Sequence, residues 1–238
     1  MVNSRKRNNI DTAKVGIVKI TFRNTIKGIP LILNKGLYIN PFSEQYIVTK
    51  FKYYISNVCL LTDKTSISES SSYHLIDEIP GKPKNFTFTC AANTYQKLEF
   101  LLGVDSLHNV SGAQSGALDP LNGMFWTWNT GYVMAKMEGN SPQSVVLNNK
   151  LEYHIGGFSG AANVLKMISF SLPAGKLLVI RGGKTSEIII EADLDKWWQS
   201  PNEVRFSDNP VCTSPGKLAK KIADNYCKMF TIKDVINY

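Results

Sequence analysis

Apolar and polar positions alternate with a period of two along most of the chain. Residues 85–89 set Phe86 and Phe88 on one face and Thr87 and Thr89 on the other. A pleated strand turns successive side chains to opposite faces, so this pattern predicts half-buried strands. The same reasoning predicts strands at residues 15–22, 73–76, 95–104, 151–156, 166–172, 176–181 and 187–192. Residues 46–61 are the longest apolar-rich stretch of the first half. They carry aromatic and β-branched side chains and no helix cap, so strands are expected there too. Tyr53, Ile55 and Asn57 would share one face, and Tyr54, Ser56 and Val58 the other.

Residues 215–230 give the one clear helical period. Leu218, Ala219, Ile222, Ala223 and Tyr226 recur at helical spacing, opposite Lys217, Lys220, Lys221 and Asp224. This predicts an amphipathic helix, capped by Ser214-Pro215, that covers a sheet edge. Residues 193–199 read as a single helical turn packing Trp197 or Trp198. Pro80-Gly81-Lys82-Pro83 is a turn, and the serine-rich run 66–72 an exposed loop. Residues 105–122 are small, polar and glycine-rich. They predict a long loop, of the kind that is functional or mobile in compact domains.

Short strands, turns about every ten residues and one late helix imply an all-β fold. The expected architecture is an antiparallel β-sandwich, immunoglobulin-like or jelly-roll-like, with one C-terminal helix. No long linker divides the chain, so residues 15–238 are expected as one domain after a flexible leader, 1–14.

Composition narrows the function. No run of about 18 apolar residues exists, so no transmembrane helix is expected. The basic start shows no secretory signal, which leaves a cytosolic protein or one whose signal has been removed. The net charge of +8 is scattered and accompanied by no nucleic-acid motif, so nucleic-acid binding is not expected. The absence of a Gly-x-Ser-x-Gly elbow argues against a hydrolase, and no enzymatic activity is expected. Cys59, Cys90, Cys212 and Cys227 form no Cys-x-x-Cys pair; Cys212 and Cys227 are a candidate disulfide. His74, His108 and His154 form no paired metal motif, although imidazole suits copper and zinc.

The run Gly123-Met124-Phe125-Trp126-Thr127-Trp128-Asn129-Thr130-Gly131-Tyr132 is the most unusual stretch. As one extended strand it would set Met124, Trp126 and Trp128 on a shared face. Methionine thioethers are soft ligands for Cu(I), though they more often fill cores.

With Lys136-Met137-Glu138-Gly139 after it, this run resembles the core motif of the MbnP-like family of copper-binding proteins. Supporting segments occur in the family's order: Tyr54-Ile55-Ser56-Asn57-Val58, Leu102-Gly103-Val104-Asp105-Ser106, Tyr153-His154-Ile155-Gly156-Gly157 and Ile222-Ala223-Asp224-Asn225-Tyr226. The last resembles the Bacteroidetes-type branch. The resemblance implies an extracytoplasmic, periplasmic or lipid-anchored β-sandwich that binds Cu(I). It also implies a diheme cytochrome c peroxidase-like (MbnH-like) partner that oxidises a motif tryptophan, Trp126 or Trp128, to kynurenine. His154 matches the family's histidine-x-glycine segment and is the expected metal ligand. His108 and Met124 are further candidates. Position 128 is tryptophan where better-studied members carry a second histidine, and no cysteine follows the His154 segment. The alternative is a metal-free binding module that recognises a protein or glycan through the 105–122 loop.

Overall fold

A computed structural model of the chain describes residues 14–127 and 131–238. All of the expected leader but Lys14 lies outside the described residues. Two large sheets face each other. One has the strand order Phe230–Ile236, Thr185–Asp193, Val15–Ile26, Ile29–Pro30, with Asn85–Ala91 also paired to Val15–Ile26. The other runs Lys166–Ser171, Lys97–Leu102, Gln45–Leu61, Gly131–Asn140, Lys150–Gly156, Val211–Cys212. Short strands, among them Tyr73–Asp77, add to the long strand Gln45–Leu61. The expected all-β sandwich is present, mostly antiparallel. Two pairings are parallel: Val15–Ile26 with Thr185–Asp193, and Lys150–Gly156 with Val211–Cys212.

Aromatic rings lock the sheets together. Phe22 of the first sheet meets Tyr53 and Phe100 of the second edge-on, at 5.9 and 6.2 Å. Such edge-to-face pairs match ring edges to negative ring faces. A second cluster gathers Trp197, Trp198, Tyr46, Tyr153, Phe206 and Tyr226, all fully buried. The expected turn near 193–199 is the 3-10 helix Leu194–Trp197, and it buries both tryptophans.

The predicted C-terminal helix is Lys217–Tyr226, with Ala219, Ile222, Ala223 and Tyr226 buried. Its cap differs from the expected one. Gly216 occupies the N-cap position and no side chain bonds to the first turn. The helix also ends earlier, because Phe230–Ile236 is a strand paired with Thr185–Asp193. All four cysteines are free, so the Cys212–Cys227 disulfide does not form.

The long strand Gln45–Leu61 is buried on both faces around residues 53–56, which hides its alternation. Asn57 does not continue a face with Tyr53 and Ile55. It has a φ of 53° at an irregularity between Ser56 and Cys59 and is exposed.

Glu44 ties the start of this strand to the second aromatic cluster. Its buried carboxylate accepts the main-chain N–H groups of Phe206 and Ser207, at 2.8 and 3.0 Å, and the Asn40 amide at 2.6 Å. Burial alone raises its pKa, but these hydrogen bonds outweigh it and the net pKa is lowered. A depressed folded-state pKa adds stability above the unfolded value of about 4.3 and loses it as pH falls through the folded value. Glu44→Gln is therefore expected to cost about 1–3 kcal/mol at neutral pH and to flatten the acid limb of the stability curve. Urea unfolding at pH 3 to 7 checks this; parallel curves for the two proteins would refute it.

Candidate metal centre

The strand Lys150–Gly156 alternates cleanly. Leu151, Tyr153 and Ile155 point into the core, so Glu152, His154 and Gly156 share the outer face. Pairing across the sheet extends this face into rows. Lys52, Lys136 and His154 lie in one row, and Lys50, Glu138 and Glu152 in the next. Cross-strand neighbours on one face stand close enough to interact, and these do. His154 Nε2 is 2.9 Å from Glu138 Oε1 and 3.7 Å from Glu152 Oε1. The three ligand atoms lie within 4.8 Å of one another. Each carboxylate turns its other oxygen to a lysine: Lys50 to Glu138 Oε2 and Lys150 to Glu152 Oε2, both at 2.7 Å.

The charges are held firmly. The His154 hydrogen bond, and Lys50 after it, hold the Glu138 carboxyl down at about 2, against the opposing effect of burial. Lys136 is a buried charge of this face. Burial pushes its ammonium below the usual lysine value, and its Nζ donates to the Gly123 carbonyl. Lys52 Nζ donates to the neighbouring Asn122 carbonyl at 3.3 Å and pairs with Asp77 at 3.0 Å. These two lysines tie residues 122–123, the turn that leads into the aromatic run, to the sheet face.

The aromatic run is not one central strand, as the sequence pattern suggested. Phe125–Trp126 is a two-residue arm that folds back on Gly131–Asn140, Phe125 opposite Tyr132 and Trp126 opposite Gly131. The chain turns at Thr127, and Trp128 lies outside the described residues. The central strand is Gly131–Asn140, whose residues 131–137 are all buried. Trp126 is 7% exposed. The edge of its six-membered ring covers Gly156: a Cβ there would lie 2.4 Å from Cζ3 and 2.6 Å from Cη2. The indole thus rests two residues along the strand from His154, on the same face.

Met124 is fully buried among the core side chains. Met134 is also buried, and its sulfur accepts the Val104 N–H. Met137 faces the core, opposite in sense to Lys136 and Glu138. No cysteine joins the His154 group among the described residues. The converging donors are one imidazole and two carboxylates, a set that suits copper or zinc as divalent ions. Sequence reasoning missed both carboxylates. The signal was there: Glu152 precedes His154 by two on a strand, and Glu138 belongs to the Lys136-Met137-Glu138-Gly139 segment.

His108 belongs to a different place. The 105–122 segment is not a plain loop; it holds the short helix Ser106–Val110, capped by Asp105, and two 3-10 turns. His108 Nδ1 lies 3.0 Å from Asp105 Oδ1 and 2.6 Å from the Tyr73 hydroxyl. Tyr73 donates in turn to Asp105 Oδ2. With Nδ1 so engaged, Nε2 carries the lone pair of the neutral ring. His108, Tyr73, Glu69, Ser72 and Gln114 line a polar cavity of about 550 Å³. Asn109 anchors the helix: fully buried, it accepts the Tyr132 N–H at 2.9 Å and donates to the Asp105 carbonyl at 3.0 Å.

Comparison with known proteins bears on this geometry. The sequence model of the MbnP family matches residues 15–214. Among solved structures, MbnP from Methylosinus trichosporium superposes with a TM-score of 0.56 at 14% identity, covering 92% of this chain and 98% of that one. At that identity the likeness establishes the fold. No curated protein matches.

Proposed function

The chain belongs to the MbnP family, and from that premise we propose that it is an extracytoplasmic, non-enzymatic copper-handling protein. His154 is the protein ligand at its centre and Trp126 the residue open to oxidation. One observation carries this reading: the Trp126 ring covers Gly156, two residues from His154 on the same sheet face. Glu138 Oε1 lies 2.9 Å from Nε2 and holds the imidazole on the sheet face. Bound copper would supply a redox-active cation beside an indole. The chain's own part is to hold the imidazole and to keep the indole ring on the strand. A diheme peroxidase-like partner, consuming two equivalents of hydrogen peroxide, would open the C2–C3 bond of the Trp126 indole to N-formylkynurenine and release two waters; hydrolysis then removes the formyl carbon as formate and leaves kynurenine. A periplasmic or lipid-anchored location suits such a partner.

The test is copper content and intact mass of protein purified from its native host. The expected result is copper with a mass gain matching one tryptophan-to-kynurenine conversion. His154→Ala is expected to weaken copper binding about 100-fold or more, since loss of even a supporting residue costs 10–100-fold. Copper affinity unchanged by His154→Ala would overturn the assignment.

A second reading has its own observation, the 550 Å³ cavity beside His108. In it the sandwich is a metal-independent module that binds a protein or glycan partner through residues 105–122. It is favoured if partner capture survives chelation and His154→Ala but is lost on His108→Ala.

A further inference from the structure

The carboxylates beside His154 bear on which form of copper the site takes. Metal–donor bonds of about 2.0–2.2 Å place neighbouring donors roughly 3.0–3.5 Å apart in tetrahedral or octahedral arrangements. The separations of 2.9 and 3.7 Å from His154 Nε2 to the two Oε1 atoms bracket that range. Each Oε1 faces the imidazole because a lysine holds the opposite oxygen. The lysines explain how Glu138 and Glu152, directly opposed across two strands, coexist without a metal: Lys50 and Lys150 offset the two carboxylates, and Lys136 Nζ lies 4.0 Å from Glu138 Oε1. They also aim both carboxylates at the imidazole, as a preformed site requires.

We propose that Glu138, Glu152 and His154 form a three-donor site for a divalent cation, so that copper is taken here as Cu(II) rather than Cu(I). This rests on the copper reading above. Imidazole with carboxylates is a borderline-to-hard set, and Cu(I) favours thioether and thiolate donors. On binding, the cation takes the Nε2 lone pair in place of the hydrogen bond to Glu138, and the proton of that bond leaves to solvent. The inference departs from the Cu(I) expectation of the family resemblance, and it does so on this chain's own donors.

The experiment titrates Cu(II), and separately Zn(II), into the purified full chain, read by calorimetry and, for copper, by electron paramagnetic resonance. The expected result is one equivalent of Cu(II) with superhyperfine splitting from a single nitrogen and g values of an otherwise oxygen-ligated ion. Zn(II) is expected to compete. Glu152→Gln keeps the side-chain shape, and circular dichroism checks its fold; it is expected to weaken Cu(II) at least tenfold. Cu(II) affinity unaltered by Glu152→Gln in the folded protein would reduce the cluster to an ion-pair lattice and overturn the inference. Copper held only as Cu(I), yet lost with His154→Ala, would overturn the divalent assignment and leave the proposed function standing. Copper binding in either state indifferent to His154→Ala would remove both.

Discussion

Trp198→Ala is expected to cost about 3–5 kcal/mol of folding stability, at the upper end for a buried aromatic. The side chain is fully buried. Its ring meets Phe206 at 4.8 Å, Tyr153 at 5.1 Å and Tyr46 at 6.1 Å. These three partners come from a loop, from the strand that carries His154 and from the long strand, so no single element can close the gap. The cavity term therefore stays large, because relaxation would have to move a sheet. A polar cost adds to it. Trp198 Nε1 donates to the buried Tyr46 hydroxyl at 3.4 Å, and truncation leaves that hydroxyl without its donor. Trp198→Phe keeps most of the volume and is expected to fall well below the alanine cost. The check is the urea midpoint of both variants at constant m-value. A loss under about 1 kcal/mol for the alanine would mean that the cluster repacks, against the tight interdigitation seen.

This cluster also shows where the sequence was legible. A helical turn burying Trp197 or Trp198 is readable, because two adjacent tryptophans after Asp193 must find apolar company. The strands read best where one face is wet: Phe86 and Phe88 alternate with threonines, and the strand runs there. They read worst where both faces are covered, as at Tyr53 to Ser56, since burial on both sides erases the period. The C-terminal strand Phe230–Ile236 is hidden in the sequence by the helix before it, which the pattern extends to residue 230. Parallel pairing of Val15–Ile26 with Thr185–Asp193 leaves no local trace, because its partners are 168 residues apart at Ile17 and Thr185.

For the candidate site, His154 and Trp126 could be named from the family resemblance. What brings them together is tertiary. The two-residue arm at Phe125–Trp126 exists because the chain turns at Thr127, and no spacing rule distinguishes that arm from a longer strand. Glu138 and Glu152 are opposed only through the register of two strands. Register is set by core packing on the far face, where Met137, Tyr153 and Phe51 sit.

Gly156→Ala is expected to separate the indole from the cation site, and with it the two halves of the proposed function. The added Cβ would fall 2.4 Å from Trp126 Cζ3, 2.6 Å from Cη2 and 3.0 Å from the Tyr132 carbonyl oxygen. An indole is rigid, and its arm is pinned by Lys136 and Lys52 at residues 122–123. The backbone contact cannot yield without disturbing the pairing of Val133 with Gly156. Overpacking of this kind costs about 1–3 kcal/mol. A double-mutant cycle with Trp126→Ala isolates the contact. Removing the ring relieves the clash, so Trp126→Ala should cost less in the Gly156→Ala background than in the wild type. Additive costs would show that the ring does not rest on Gly156. Glu138, Glu152 and His154 are expected to keep their register in this variant, because the atoms nearest the added methyl group belong to Trp126 and Tyr132. Cation binding is therefore expected to persist while kynurenine formation in the native host falls. Loss of both together would mean that the indole supports the cation site directly, and undiminished kynurenine would move the oxidised residue away from Trp126.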